Sequence, residues 1–360
     1  MTNPNQALLD ATIAAVRPTD KAMQAAAEAR QIELTKPVGS LGLLEVTGNR
    51  LCAIFRQCPP PLPSKAIAAV FCGDHGVMAH RISPWNQEVT LQMTTNVALG
   101  GASINALAAA PGIEVWPIDV GVAHDLPDLP NLRRHRVRNG TGDISTEPAM
   151  TRDDALEALA VGIRIANEAV EAGADTLIPG EVGIGNTGVA AAIISAMTGE
   201  PASVTTGRGA GSGNNTLDRK TAIIQAALDL HQPDPSDPVG VLAAVGGLEH
   251  AAMAGYILAG AAAGRLVILD GVIACAAALI VEGLCPTATE YFVAGHKGCE
   301  PGIGIALDRL GLEPLVHLGM RLGEGGGASV AFPIVQASAN VLRIMATFAE
   351  AGVNENHDAS

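Results

Sequence analysis

The sequence predicts an α/β fold built on a parallel sheet that is buried on both faces. Hydrophobic residues make up 48% of the 360-residue chain and are mostly Ala, Val, Leu and Ile, while aromatic residues make up only 2%. Glycine is frequent, with 41 residues, as in tightly packed α/β enzymes. From residue 65 onward, short apolar runs alternate with polar or glycine-rich corners and amphipathic helices. This alternation implies right-handed crossovers between parallel strands.

Five apolar runs are predicted to be the strands of this sheet. They are Ala66 to Phe71, Val115 to Ile118, Asp175 to Ile178, Leu266 to Leu269 and Tyr291 to Val293. A polar corner follows each run, including Gly180-Glu181 after the third, Asp270-Gly271 after the fourth and Gly295-His296 after the fifth. Parallel sheets bind ligands beyond the carboxyl ends of their strands, so these corners are candidate site segments.

Helix signals lie around these runs. Thr19 is the predicted cap of a helix that ends near Leu34, and Thr151 with Asp154 forms a predicted capping box. Residues 1–60 carry helix signals and end in a proline-rich stretch. We therefore expect them to lie outside the sheet.

Composition and charge argue against several classes of protein. A net charge of -14 argues against broad attraction to nucleic acid or anionic lipid. Six cysteines without a C-x-x-C pair, and no secretory signal, favour a cytoplasmic location and argue against structural zinc or disulfides. Residues 251–281 are strongly apolar, but Arg265 and Asp270 interrupt them. A buried helix, strand and helix therefore fit this stretch better than a membrane span.

The segment Arg321 to Ser329, RLGEGGGAS, holds a single acidic residue among glycines. Glu324 lies between Gly323 and the run Gly325 to Gly327. Glycine allows the backbone to approach a ligand closely, so a carboxylate in this setting is a candidate general base. A flexible, solvated turn with an incidental Glu is the alternative for this segment taken alone.

Two further glycine-rich segments precede predicted helices. One is GEVGIGNTG from Gly180 to Gly188, and the other is GRGAGSGNN, which precedes the helix containing Lys220. Free N–H groups at a helix N-terminus bind phosphate, and Arg208, Lys220 and Lys297 are nearby cations. These segments favour a phosphorylated ligand, although neither matches a P-loop and plain tight turns remain the alternative.

The segment from Cys72 to Met93 contains the adjacent pair Asp74 and His75. The pair raises the question of a metal site or a catalytic relay, but no regular ligand spacing accompanies it. A structural role at the strand end is the preferred interpretation, while Ser83 and Gln92 are candidate pocket residues. His250, in an Ala-rich run, is interpreted as a core or interface histidine.

Seven motifs in order resemble one known family. They are KPVGSLGLLE, GDHGV with ISPWNQEVTLQM, DVGVA, GEVGIGNTG, GRGAG, the run from DPVGVLAAVGGLEHAAMAG to LDGVIACAAAL, and RLGEGGGAS. Together they resemble nicotinate-nucleotide:dimethylbenzimidazole phosphoribosyltransferase over roughly residues 20–353. So many ordered motifs are more specific than any one of them.

The resemblance implies a fold and a reaction. The fold would be a Rossmann-like doubly wound parallel sheet with a smaller helical domain from the terminal segments, and the protein would be a homodimer. Residues 1–60 and 321–360 would form that smaller domain and residues 61–320 the α/β core. The reaction would convert nicotinate mononucleotide and 5,6-dimethylbenzimidazole to α-ribazole 5'-phosphate and nicotinate during cobalamin synthesis. It requires no metal and no redox cofactor.

The resemblance also implies roles for individual residues. Glu324 would be the general base that deprotonates the benzimidazole, and Glu181 a second catalytic acidic residue that assists it. Lys220, with the backbone of Gly183 and Gly185, would bind the phosphate. The other residues implied to bind substrate are Ser83 and Gln92 near the base, Asn186, Thr187, Gly209, Leu322 and Gly323.

Four positions depart from the family's pattern. Gly188, Ala210 and Gly326 replace residues that carry a hydroxyl in the common pattern, and Gly298 stands where many members have Ser. These changes put side-chain contacts to the phosphate in doubt, and Lys297 is a candidate replacement. They leave Glu324 and Glu181 in place.

The chemistry of the reaction suits these residue types. Nicotinate leaves from a pyridinium, so its departure neutralises a positive ring and needs no strong acid. The benzimidazole attacks through one nitrogen and must lose the proton on the other, which is a task for one desolvated carboxylate. Three alternatives stay open: a non-catalytic nucleotide-binding homologue, a metal-dependent phosphohydrolase using Asp74 and His75, and a related transferase acting on adenine or a phenolic compound.

Overall fold

Six parallel strands form one sheet in the order β3-β2-β1-β4-β5-β6 in the computed structural model. The structure describes residues 3–209, 211 and 213–354. This strand order is that of doubly wound folds, with the direction of winding reversing between β1 and β4. The predicted α/β class with an all-parallel sheet is confirmed. The strands are β1 (Ala66–Gly73), β2 (Glu114–Gly121), β3 (Arg133–Arg134), β4 (Thr176–Val182), β5 (Leu266–Leu269) and β6 (Phe292–Ala294).

Fifteen α-helices surround the sheet in the described part of the chain, together with two 3-10 helices, Gly76–His80 and Pro286–Tyr291. The first seven are α1 (Pro4–Ala15), α2 (Lys21–Glu33), α3 (Leu43–Phe55), α4 (Glu88–Ala98), α5 (Ser103–Ala109), α6 (Arg152–Glu171) and α7 (Asn186–Thr198). The others are α8 (Ala202–Thr205), α9 (Asn214–His231), α10 (Pro238–Val245), α11 (Leu248–Ala262), α12 (Val272–Leu284), α13 (Gly302–Leu310), α14 (Gly326–Ile344) and α15 (Phe348–Ala351).

Helices cover both faces of the sheet, as neighbouring residues of β4 show. Leu177 points toward Gly260 of α11, where an added Cβ would lie 2.8 Å from Cδ1 of Leu177. The next residue, Ile178, points toward Gly325 at the start of α14, where an added Cβ would lie 3.3 Å from it. Successive side chains of a strand point to opposite faces, so α11 and α14 lie on opposite sides of the sheet. Strands buried in this way explain the continuous apolar runs.

The N-terminal and C-terminal segments pack against each other. Helices α2 and α3 contact α14, and Leu34 forms an isolated antiparallel bridge with Thr347. Ala27, Cys52 and Leu342 are buried together with Leu34 in a small apolar cluster separate from the main core. Helix α1, by contrast, packs on α6 and α11 of the core, and the smaller domain made from both termini stays a prediction. The boundaries at residues 60 and 320 remain a prediction.

The predicted elements are mostly observed, with instructive differences. The capping box of Thr151 and Asp154 forms at the start of α6. The cap of α2 is Asp20 and not Thr19, because the Asp20 carboxylate accepts bonds from the N–H groups of Ala22 and Met23, whereas Thr19 binds Glu290. All six cysteines are unpaired. No helix among the described residues has the length and hydropathy needed to cross a membrane.

Only β5 has its predicted bounds, and one strand was missed. Strands β1, β2 and β4 extend further than predicted, so that Gly73 and the corner Asp119-Val120-Gly121 lie within β1 and β2, and β6 is shifted by one residue. Gly180 and Glu181 continue β4 and do not form the corner after it, because parallel pairing with β1 extends as far as Val182. The edge strand β3 was not predicted, since its two residues are both arginines and carry no apolar signal. The extension of β4 matters for function because it fixes Glu181 on the rigid sheet.

Candidate active site

A cavity of about 520 Å³ opens at the carboxyl ends of β4, β5 and β6. Segments that follow these strands form much of its wall, together with residues before α4 and α14 and residues near α9. Apolar side chains line one part of the cavity: Ile82, Trp85, Val89, Met93, Val272, Ile273, Met320 and Leu322. The charged lining residues are Glu181, Asp270, Glu300 and Glu324 and the cations Arg208, Lys220 and Arg321. The cavity can therefore hold a ligand with a flat apolar part and polar ends.

A strained turn carries Glu324. Three consecutive residues, Gly323, Glu324 and Gly325, have φ values of 91°, 64° and 87°. Glycine adopts this left-handed conformation readily, but for Glu324 it costs conformational free energy. The turn lies directly against β4, since a Cβ added to Gly180 would come within 2.5 Å of the Glu324 carbonyl oxygen. Close packing against the sheet holds the strained residue in place.

The Glu324 carboxylate is buried near Glu181 and Asp270, and we call this group of acidic residues the acidic end of the cavity. Its side chain accepts a hydrogen bond from the backbone N–H of Ile104, at 3.0 Å, and the residue is 5% exposed. Burial raises the pKa of the Glu324 carboxyl and the nearby charge of Asp270 raises it further, against the lowering effect of the Ile104 N–H. A carboxylate with a raised pKa is a stronger proton acceptor, as a general base requires.

Glu181 lies beside this turn at the end of β4. Its carboxylate accepts a bond from Nδ2 of Asn186 and a longer one, 3.4 Å, from the backbone N–H of Glu324. Burial raises the pKa of Glu181 well above its ordinary value, and the charges of Asp270, Glu249 and Glu324 add to the rise. Glu181 is therefore expected to hold a proton under conditions in which an exposed glutamate would be ionised.

Asp270 and His296 complete the acidic end. Asp270 follows β5 and accepts a hydrogen bond from the backbone N–H of Ala328, at 2.9 Å, in the first turn of α14. Nε2 of His296, which follows β6, lies 3.5 Å from Oδ1 of Asp270. Burial lowers the pKa of His296, but the bond and charge of Asp270 outweigh it and the net pKa is raised. His296 therefore holds a proton more readily than an exposed histidine does, beside the carboxyl groups of this end of the cavity.

Lys220 is a buried cation of the cavity lining, and we call Lys220 and the loops that contact it the basic end. It lies on α9, is 2% exposed, and donates hydrogen bonds to Oγ1 of Thr187, at 2.7 Å, and to the carbonyl oxygen of Gly207, at 3.0 Å. Burial lowers the pKa of Lys220 to about 8, although the charge of Glu300 opposes this. Both acceptors of these hydrogen bonds are uncharged. This cation is suited to binding an anion.

The glycine-rich loops bring the backbone close to Lys220. Gly185 begins α7 as its N-cap, with a φ of 100°, so the first turn of α7 faces the cavity. An added Cβ at Gly209 would lie 2.8 Å from Oγ1 of Thr187 and 3.6 Å from Nζ of Lys220. The N–H of Gly209 donates to Glu300 at 2.8 Å. A helix N-terminus and a buried lysine thus share one end of the cavity, which suits a phosphate.

All but one of the residues predicted for the site line this cavity. They are Glu324, Glu181, Ser83, Gly183, Gly185, Asn186, Thr187, Gly209, Lys220, Leu322 and Gly323. The exception is Gln92, which is exposed on α4, while its neighbours Val89 and Met93 reach the cavity. One residue along a helix rotates the side chain by about 100°, so Gln92 points to solvent while Met93 reaches the cavity. Arg208 lines the cavity, whereas Lys297 is exposed and does not.

The departures from the family pattern differ in the space around them. An added Cβ at Gly188 would lie 3.1 Å from Ile82 and 3.3 Å from the Lys220 side chain, so that space is already filled. At Gly326, Leu107 would be 3.1 Å away. Gly298 is more open, with its nearest neighbours at 3.5 Å. Ala210 lies outside the described residues.

Sequence reasoning did not assign Asp270, His296 or Glu300 to the site. Asp270 and His296 stand at strand-end corners, and that position is the signal that could have identified them. Glu300 carries no such signal, because its role depends on a bond to the backbone of Gly209 from a distant segment.

Asp74 and His75 lie outside the cavity lining and are both fully buried. Asp74 accepts a bond from the N–H of Ala123 at 2.8 Å, in agreement with the structural role predicted for the strand end. No group of three or more potential ligands in the described ranges could hold a metal ion.

Comparison with known proteins gives consistent matches over nearly the whole chain. Residues 16–353 match the sequence model of a phosphoribosyltransferase family. This chain is 50% identical to a protein from Salinispora tropica and 49% identical to one from Chloroflexus aggregans. Both proteins are named nicotinate-nucleotide:dimethylbenzimidazole phosphoribosyltransferase. These matches cover 96% and 98% of this chain and 99% of each relative. A crystal structure of the enzyme so named from Thermus thermophilus matches with a TM-score of 0.89 and 41% identity, covering 94% of this chain and all of that one.

Proposed function

The chain belongs to the nicotinate-nucleotide:dimethylbenzimidazole phosphoribosyltransferase family, and from that premise we propose how its cavity performs phosphoribosyl transfer. The substrates are nicotinate mononucleotide and 5,6-dimethylbenzimidazole, and the products are α-ribazole 5'-phosphate and nicotinate. The product forms the lower nucleotide of cobalamin. The proposal concerns which residues act on which atoms.

Glu324 is the general base. One benzimidazole nitrogen attacks the anomeric carbon of the ribose, and the proton on the other nitrogen passes to the Glu324 carboxylate. The bond between the anomeric carbon and the pyridinium nitrogen breaks, and its electron pair neutralises the departing nicotinate ring. This assignment is supported by the burial and raised pKa of Glu324 and by the apolar wall beside it.

Attack on the face opposite to nicotinate inverts the anomeric carbon from β to α. The cavity contributes by holding both rings in line with that carbon, which replaces a bimolecular encounter with a positioned one. Glu181 has a pKa raised well above the ordinary value, so in its protonated form it can donate a hydrogen bond at the acidic end. We propose a binding role for Glu181 and the proton-accepting role for Glu324.

Lys220 and the first turn of α7 bind the 5'-phosphate. Support comes from the buried ammonium of Lys220, its bonds to neutral acceptors only, and the N-cap position of Gly185. The observation that carries the whole proposal is that a buried carboxylate, Glu324, and a buried lysine, Lys220, line the same cavity.

The test is incubation of the protein with nicotinate mononucleotide and a panel of benzimidazoles, purines and phenols. Released nicotinate and the mass of the nucleotide product are measured. We expect the benzimidazoles to give a product one phosphoribosyl group heavier than the base. Nicotinate release with only adenine or a phenol would assign a different acceptor, and no release with any base would refute transfer.

The same assay separates the alternatives from other classes. A metal-dependent phosphohydrolase would release inorganic phosphate and lose activity on chelation, whereas the proposed reaction is insensitive to a chelator. A non-catalytic nucleotide-binding homologue would bind the mononucleotide without releasing nicotinate. The homodimer implied by the resemblance is likewise a proposal, and sedimentation of the protein at assay concentration tests it.

A further inference from the structure

An acidic side chain, Glu300, lines the cavity beside the residues to which the proposed function assigns the phosphate. It lies between β6 and α13 and shares the lining with Thr187, Gly209 and Lys220. A carboxylate at this place would repel a phosphate, so direct binding of the phosphate does not explain it. The contacts that its two carboxylate oxygens make with the protein indicate another task.

Glu300 contacts both ends of the three-residue segment 207–209, which we call the 207–209 loop. Oε1 of Glu300 accepts a hydrogen bond from the backbone N–H of Gly209 at 2.8 Å. At the other end of the loop, a Cβ added to Gly207 would overlap Oε2 of Glu300 and would lie 2.5 Å from Cδ of Pro301. Both carboxylate oxygens therefore lie against one loop, although Glu300 and Gly209 are 91 residues apart in the chain.

The same loop contacts the ammonium group of Lys220. The carbonyl oxygen of Gly207 accepts a hydrogen bond from Nζ of Lys220 at 3.0 Å, and Oγ1 of Thr187 accepts another at 2.7 Å. A lysine side chain has a flexible four-carbon stem, so the groups that it bonds to set the direction of its ammonium group. One of these two acceptors belongs to the loop that Glu300 contacts.

The 207–209 loop needs support from outside. Gly209 has a φ of 57°, in the left-handed region, and glycine loses more conformational freedom on folding than any other residue. A glycine-rich loop therefore keeps one shape only when contacts from other segments fix it. A hydrogen bond from an N–H group to a carboxylate is roughly twice as strong as one to a neutral acceptor. The carboxylate of Glu300 is thus suited to fixing this loop.

We propose that Glu300 is a positioning residue. It holds the 207–209 loop through the N–H of Gly209, and the loop in turn directs the ammonium group of Lys220 toward the phosphate of the mononucleotide. Glu300 itself contacts no substrate atom. The inference rests on the proposed function for the identity of the ligand, whereas the contacts that join Glu300, the loop and Lys220 do not.

The first test is equilibrium binding of nicotinate mononucleotide without an acceptor base, measured by titration calorimetry on the full-length protein. Glu300→Ala removes the acceptor of the Gly209 bond, so we expect the Kd to rise by about tenfold. Glu300→Gln keeps an oxygen acceptor, so its Kd should stay within about threefold of the wild-type value. An unchanged Kd in Glu300→Ala would overturn the proposal, as would an equal rise in both variants.

A double-mutant cycle decides whether Glu300 acts through Lys220. If it does, removal of Glu300 has no further effect once the lysine is gone, and Lys220→Ala/Glu300→Ala should bind the mononucleotide as weakly as Lys220→Ala. Independent effects would multiply. A double variant about tenfold weaker than Lys220→Ala would therefore assign Glu300 a separate role, such as direct binding of a ribose hydroxyl, and would overturn the proposal.

Two acids outside the cavity lining supply the controls. Glu290 accepts hydrogen bonds from the backbone N–H of Thr19, at 2.8 Å, and from its hydroxyl, so Glu290→Ala removes a comparable bond to a distant segment. Glu282 on α12 pairs with Arg309, and Glu282→Gln is the control for Glu300→Gln. The Kd should not change in either control, and a rise in Glu290→Ala equal to that in Glu300→Ala would overturn the proposal.

A second substitution covers the case in which Glu300→Ala does not fold. Glu300→Met keeps a side chain of similar length and offers no oxygen acceptor, so the same rise in Kd and the same result in the cycle are expected. A wild-type Kd in Glu300→Met would overturn the proposal.

A measurement without ligand separates this proposal from the proposed function. Amide hydrogen exchange in a peptide that contains the 207–209 loop should be about tenfold faster in Glu300→Ala than in wild-type protein, and near the wild-type rate in Glu300→Gln. Equal exchange in Glu300→Ala and an active wild-type protein would mean that the role of Glu300 fails alone. If wild-type protein binds the mononucleotide but releases no nicotinate, phosphoribosyl transfer fails and the binding cycle still decides the role of Glu300. Absence of binding by wild-type protein would overturn both.

Discussion

The acidic end of the cavity is built from three distant segments, whereas the basic end depends on one lysine. Each of the carboxylates Glu181, Asp270 and Glu324 accepts a bond from a backbone N–H, and those N–H groups belong to Glu324, Ala328 and Ile104. Lys220 instead donates to one hydroxyl and one carbonyl on neighbouring loops.

The difference indicates separate tasks for the two ends. Close carboxylates held by backbone donors have coupled proton affinities, so the acidic end responds to protons. A buried ammonium group whose hydrogen-bond acceptors are neutral still attracts a negatively charged group. The basic end is therefore suited to binding an anion. Changes at the first end should act on turnover, and changes at the second on binding of the mononucleotide.

The largest effect is expected from Glu324→Gln. The amide cannot take the benzimidazole proton, so kcat should fall by at least about 100-fold, the usual contribution of a general base. The KM for nicotinate mononucleotide should change little, because the basic end is intact. Nicotinate release under saturating substrates measures the effect, and Glu282→Gln serves as the control. Near-normal turnover in Glu324→Gln would reject the assignment.

Lys220→Ala should act on binding. Loss of a hydrogen bond to a charged group costs about 1.5–3 kcal/mol, which corresponds to a rise of about ten- to 100-fold in the KM for the mononucleotide. We expect kcat to change less than about threefold. Lys297→Ala is the matched control, since Lys297 is exposed and does not line the cavity. An unchanged KM in Lys220→Ala would show that the phosphate binds elsewhere.

The pH dependence of binding should follow the same lysine. Burial lowers the pKa of Lys220 to about 8, so the side chain is charged below that pH and neutral above it. The value of kcat/KM for the mononucleotide should therefore fall above about pH 8, by up to about tenfold for each pH unit. This limb should be missing in Lys220→Ala, and its persistence there would point to another group.

Gly298→Ser should give the smallest effect. Its surroundings allow a side chain at ordinary contact distance, and the new hydroxyl could donate to the phosphate. One neutral hydrogen bond contributes about 1 kcal/mol, so the KM for the mononucleotide should fall by about fivefold at most, with kcat unchanged. Gly304→Ser on α13, with nothing within 4 Å of an added Cβ, is the control. A raised KM in Gly298→Ser alone would mean that the position tolerates no side chain.

The two ends also differ in how far the sequence predicts them. The glycine spacing around Glu324 and the helix after the Gly207 loop are local features, so Glu324 and Lys220 could be named as candidate site residues from the sequence, and both line the cavity. Their partners could not be named in this way. The bond from Ile104 to Glu324 joins residues separated by more than half of the chain, and the bond from Gly209 to Glu300 joins separate loops.

Similar limits apply to the fold. Apolar runs predict β5 at its observed bounds because both faces of that strand are buried. They miss the end of β4, where Glu181 is polar but still paired in the sheet. Gln92 is a candidate pocket residue by its segment and by the family resemblance, whereas in the structure it is exposed on α4 and Val89 and Met93 line the cavity, because the face that α4 presents depends on how the helix packs. Nearby residues determine where a strand or helix begins and ends. The face that it turns toward the cavity depends on packing against distant segments.

The close contact between Gly180 and the Glu324 turn has a consequence for biosynthesis. The chain emerges from the ribosome N-terminus first, so the sheet and the Lys220 region are available before the residues that carry the base. On the proposed assignment, the carboxylate that accepts the proton therefore joins the site only after the turn of Gly323, Glu324 and Gly325 has docked against Gly180 of β4.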